Sequence, residues 1–151
     1  MRAYLTCVVL DGSAPIDGTL PRQPAEQPIT WPIGDAGEIH LTVITQDGAL
    51  VDLNATPAKT LAVVCRHHLA DAAPIFAVDA VNDATPSGGT APGTAVATLA
   101  TEDTSAMVGG VVYLYDVRMS DTDGSQQVFP MSKWTPGPVV ARDGEPPPPA
   151  V

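Results

Sequence analysis

Charge is scarce in this sequence. Only 16% of its 151 residues are Asp, Glu, Lys or Arg, against about 25% in an average soluble domain. What charge there is has largely one sign: 17 acidic residues stand against 7 basic ones, for a net −10. Affinity for phosphate backbones or anionic lipid rests on Lys/Arg clusters, and none is present. Nucleic acid and anionic membrane surfaces are therefore excluded as partners. Aromatic residues number seven, and lysine occurs only at Lys59 and Lys133. No apolar run approaches the roughly 18 residues that a membrane-spanning helix requires.

Cysteine is equally sparse. Cys7 and Cys65 fall on separate expected strands, and in a cytoplasmic product both are expected to be free, buried and inert. A disulfide between them is the alternative, and the sequence leaves it open. The N-terminus carries one basic residue, Arg2, before a short apolar stretch that runs into Asp11-Gly12. A signal peptide has a longer apolar region and a small-residue cleavage site. The expectation is synthesis in the cytoplasm, without export through a signal peptide.

Apolar content is nevertheless 44%, too high for a disordered chain. A chain of this length is the size of one domain and can bury a core without a metal or disulfide framework. Thirteen glycines and sixteen prolines are scattered so that few windows could hold a long helix. Short strands and many turns fit that distribution.

Residues 1–12 read as an N-terminal strand, with Tyr4, Thr6 and Val8 alternating with Leu5, Cys7 and Val9. Residues 13–36 hold Pro15, Pro21, Pro24, Pro28 and Pro32 and read as an extended arm or long loop. From Gly37 alternation returns: Ile39, Leu41 and Val43 mark a half-buried strand. Gln46-Asp47-Gly48-Ala49 reads as a hairpin turn, with 50–53 as the returning strand. Further strands are expected at 61–65, 74–78, 95–99, 111–119 and 126–131, with a helical turn starting at 101 and an exposed loop at 82–93. Residues 37–142 thus form the sandwich core, and 143–151 a Pro-rich tail that cannot join a sheet interior. The fold expected is an all-β antiparallel sandwich of seven to eight strands with extended Pro-rich segments.

Candidate chemistry is thin. His67 and His68 are adjacent, and adjacent residues on a strand face opposite ways. Cys65-x-His67 would share a face, yet no second short-spaced ligand pair completes a zinc site. Asp121-x-Asp123-Gly124 opens like a calcium loop, but Gln126 and Ser132 stand where Gly and Glu are required. There is no Gly-x-Ser-x-Gly, phosphate loop or dinucleotide fingerprint. The expectation is a protein without catalytic residues, metal or cofactor. Trp31 and Trp134 admit a carbohydrate-binding reading, since flat aromatics stack on sugar rings. The candidates for docking on neighbouring subunits are Ile29, Trp31 and Ile33 of the arm, Trp134, and Pro146, Pro147, Pro148 and Pro149 of the tail.

One arrangement is more specific. Gly34-Asp35-x-x-Glu38-Ile39 leads into a strand, followed by Asp47-Gly48-Ala49-Leu50-Val51-Asp52-Leu53. Later come Gly93-Thr94-Ala95-Val96-Ala97-Thr98-Leu99 and Gly109-Gly110-Val111-Val112-Tyr113-Leu114-Tyr115-Asp116, and then Asp123-Gly124. Over residues 31–142 this series resembles the N-terminal β-sandwich domain of phage baseplate upper proteins and related tail proteins. Asn54-Ala55 departs from the Thr-Gly that family members often carry after the leucine, and residues 1–30 have no counterpart in it. The resemblance implies an immunoglobulin-like sandwich that attaches receptor-binding or fibre components to the tail, within a symmetric oligomer. The expected role is that of a structural virion protein of the tail, baseplate or neck, with other virion proteins and copies of itself as partners. The alternatives are a carbohydrate- or receptor-binding module and a capsid decoration protein built on the same sandwich.

Overall fold

Strict alternation along the chain dictates a two-layer architecture, because each strand can bury only one face. The computed structural model describes residues 1–10, 18, 20, 25–54, 58–68, 73–82 and 93–138. Among them lie nine strands and one short helix. The strands are β1 (Arg2–Val9), β2 (Ile29–Pro32), β3 (Gly37–Thr45), β4 (Thr60–Arg66), β5 (Phe76–Asp79), β6 (Val81–Asn82), β7 (Thr94–Leu99), β8 (Tyr113–Asp121) and β9 (Gly124–Gly137). The helix, α1 (Thr101–Ser105), is the expected helical turn. It begins with the Asp103 carboxylate accepting a 2.7 Å hydrogen bond from the Ala100 amide.

The first sheet has the order β1-β3-β7-β6 and the second β2-β9-β8-β4-β5. Leu5, Cys7, Ile39, Leu41, Val43, Ala97 and Leu99 from the first face Leu61, Val63, Cys65, Tyr115 and Val117 from the second. The all-β sandwich is as expected. Its sheets are mixed, however, since β1 pairs with β3 in parallel and β2 with β9 in parallel. Parallel neighbours cannot be joined by a tight hairpin, and here β1 and β2 each reach their partner through a long connection.

The two sides of the sandwich are closed differently. On one side the chain crosses from β5 in the second sheet to β6 in the first through Ala80, whose amide donates to Leu61 O at 2.7 Å. On the other side Gln27 bridges the sheets. Its amide donates to Ser132 Oγ (3.2 Å), its side chain to Tyr4 O (3.2 Å), and its carbonyl accepts the Tyr115 hydroxyl at 2.5 Å.

Three elements differ from the expectation. The turn after β3 forms, with Gly48 at φ 95°, but its returning strand shrinks to a single bridge between Ile44 and Leu50. The slot beside the end of β3 is taken instead by Gly93, whose carbonyl accepts the Val43 amide at 2.8 Å. β9 runs through Pro130 and Pro136, with register shifts opposite Tyr115 and Val117 absorbing extra residues. β2 arises inside the segment read as a loop, because an edge strand tolerates the flanking Pro28 and Pro32. The expected features at 13–17, 19, 21–24, 83–92 and 139–151 lie outside the described residues.

Candidate functional site

The arm residues chosen as docking candidates turn out to be core residues. Ile29 and Trp31 alternate inward from β2, and Ile33 follows them. Trp31 and Trp134 are both 0% exposed, stacked on each other with centroids 5.4 Å apart. Phe76 and Tyr115 meet the Trp134 ring edge-on at 5.2 and 5.7 Å, and Phe129 stacks on Tyr115 at 5.9 Å. The Trp31 indole nitrogen donates to Asp35 O at 3.0 Å, while Trp134 Nε1 is buried without a partner. Register explains the meeting. Ile29 lies opposite Trp134 and Trp31 opposite Pro136 in the parallel ladder, so the two indoles come from adjacent strands on one face. Docking on a neighbour, and the sugar-stacking platform, both need exposed rings. Burial of these four side chains assigns them to contacts within the chain. Pro146, Pro147, Pro148 and Pro149 lie outside the described residues.

Tyr115, at the centre of this cluster, is held protonated. Burial raises its pKa, its hydrogen bond with Ser132 lowers it by less, and nearby Cys7 adds a still smaller rise. Cys7 on β1 and Cys65 on β4 are free and buried, as expected. Burial pushes both thiols up to about 12, so the thiolate that would react is suppressed at neutral pH.

The histidine pair is arranged differently from the strand rule. β4 ends at Arg66, so His67 and His68 stand beyond the alternating backbone. Their rings stack with centroids 4.0 Å apart, and His67 also tilts against Tyr113 at 5.4 Å. Cys65 points into the core and does not share a site with them. Among the described residues, no three His, Cys, Asp or Glu side chains converge as a metal site would require. The Asp121/Asp123 turn is a two-residue hairpin tip, with the Asp123 amide donating to Asp121 Oδ1 at 2.8 Å. It borders a shallow cleft lined by Met119, Asp121, Asp123, Gly124, Ser125 and Gln126.

Sequence reasoning passed over one buried charge and one exposed ring. Asp116 lies on the outward side of β8, yet it is 2% exposed. It accepts a hydrogen bond from Gln127 Nε2 (2.8 Å) and pairs with Arg118 at 3.3 Å. The bulged part of β9 brings Gln127 to it. Tyr4 is the converse. Six of the seven aromatic residues are buried, and Tyr4 stands 62% exposed on the outer face of the first sheet.

What these elements present to the outside is sheet face and sheet edge. No family model and no curated protein matches the chain. Among solved structures it is similar to the N-terminal domain of phage TP901-1 ORF48. That likeness has 9% sequence identity, spans 89% of this chain and 96% of the other, and gives a TM-score of 0.43.

Proposed function

We propose that this chain is a structural subunit of a bacteriophage virion, stationed in the tail, baseplate or neck. In this reading it packs against other virion proteins and copies of itself and helps attach fibre or receptor-binding components. It performs no reaction, is made in the host cytoplasm and ends up in the particle.

The observation that carries the reading is the motif series across 31–142 together with where its residues sit. Gly34, Gly48, Gly110 and Gly124 all belong to that series, and all four adopt positive φ (78°, 95°, 83° and 148°). Left-handed backbone of this kind strongly favours glycine. These four glycines therefore mark turns of the scaffold, and Tyr113 and Tyr115 of the same series fill its core. A series resembling the baseplate-type domain is thus made of residues that build a two-sheet spacer, as that resemblance implies.

Immunogold labelling of intact particles with an antibody raised to the purified chain tests the reading. Label at the tail, baseplate or neck is expected. Label spread over the head surface would favour the decoration protein, and particles without label would overturn the proposal.

A further inference from the structure

The exposed Tyr4 belongs to a row that crosses the whole first sheet. Register places Tyr4 beside His40, His40 beside Val96, and Val96 beside Val81, one residue from each of the four strands. All four point outward, and Val81 is 75% exposed. The Tyr4 ring is held flat by stacking on His40, with centroids 5.0 Å apart and planes 25° from parallel. One flanking row reads Arg2, Glu38 and Thr98, and the other Thr6, Thr42 and Thr94.

This face differs electrically from the rest of the chain. Arg2 and Glu38 pair at 3.3 Å and cancel, and His40 Nε2 lies 3.4 Å from the same carboxylate. Among the described outward residues of the sheet there is no further Asp, Glu, Lys or Arg. The whole chain meanwhile carries −10. Two copies approaching through acidic surface repel, whereas this face brings no net charge to the contact.

We infer that the outer face of the first sheet is a self-association surface, on which a second copy of this chain stacks its own first sheet about a twofold axis parallel to the strands. That axis lays Tyr4 over Val81 of the second copy, His40 over its Val96 and Glu38 over its Thr98. Apolar groups meet across the row, and no like charges oppose each other. Four strands about 4.8 Å apart and three rows of side chains cover roughly 400 Å². A standard stable interface buries about 800 Å² per partner. The pair is therefore weak in isolation and becomes firm only where other contacts hold the copies side by side. The inference deepens the virion reading, whose homo-oligomer it supplies with a surface.

Two measurements test it. Sedimentation equilibrium of the full chain, from about 10 µM to 1 mM, is expected to show a reversible monomer–dimer equilibrium. The Tyr4→Ser/Val81→Ser variant, which removes only exposed groups, is expected to weaken it by roughly tenfold or more. The second measurement is a control. Val112→Ser also removes an exposed apolar group (47% exposed), but one that lies just before β8 of the second sheet, and it is expected to leave the equilibrium unchanged. A wild-type chain that stays monomeric to 1 mM, or an equal weakening by Val112→Ser, would overturn the inference. Particle labelling is independent of both results. Labelled particles with no dimer would sink this surface alone, and a dimer with unlabelled particles would sink the virion reading alone.

Discussion

At the scale of single residues, stability concentrates in the aromatic cluster around Trp134. Packing of this kind adds roughly 0.5–1.5 kcal/mol per ring pair beyond the area it buries. Trp31 contributes twice, filling the core and fixing β2 through its indole hydrogen bond to Asp35 O. Replacing Trp31 with Ala is expected to cost about 3–5 kcal/mol, read as a lowered urea midpoint by circular dichroism. A loss below about 1 kcal/mol would mean the ring does not lie where the register places it. The two thiols make a second prediction. Their folded pKa is raised from 9.0 to about 12, so the folded state holds these protons more tightly than the unfolded one. Their contribution is fully present below pH 9 and is lost as pH climbs from 9 towards 12. Chemical unfolding across that range should show falling stability, with a shallower fall in Cys7→Ala/Cys65→Ala than in wild type. Identical slopes would show that the thiols are accessible in the native state.

At the scale of elements, Gly93 shows how closely the strands approach. A Cβ there would meet Val43 O at 2.8 Å, Leu50 Cδ2 at 3.0 Å and Val51 O at 3.1 Å. Two of those three atoms are backbone and cannot swing away. Gly93→Ala is therefore expected to destabilise by about 1–3 kcal/mol, measured by thermal unfolding, and a neutral result would contradict the observed seating. Much of this architecture is legible in the sequence. β1, β3 and β8 announce themselves through period-two alternation, β4 through a nearly continuous apolar run, β7 as a short strand, and the helical turn after Leu99 through its acidic first residues. What escapes is set by tertiary context. Ile29-Thr30-Trp31 alternates correctly, but the flanking prolines mask it, since only the free edge beside β9 makes them harmless. Val81–Asn82 is too short to carry a period. The 50–53 strand is lost because Gly93 competes for the same side of β3. The docking candidates illustrate the same limit. Periodicity identifies Trp31 as an anchoring side chain but not which surface receives it, and that surface is this chain's own second sheet.

At the scale of the whole molecule, apolar and aromatic side chains are drawn into one core shared by two mixed sheets. Among the described residues, Asp116 is a buried acidic side chain, and the outer face of the first sheet carries a single one, Glu38, paired with Arg2. Under the proposed virion role, net repulsion between copies together with one face free of net charge would suit an assembly in which position is imposed by many modest contacts. The most direct test is quantitative mass spectrometry of gradient-purified particles, comparing peptides of this chain with those of the major tail proteins. The account predicts a fixed ratio that persists through successive purifications. Peptides that diminish with each purification, while the tail proteins remain, would contradict it.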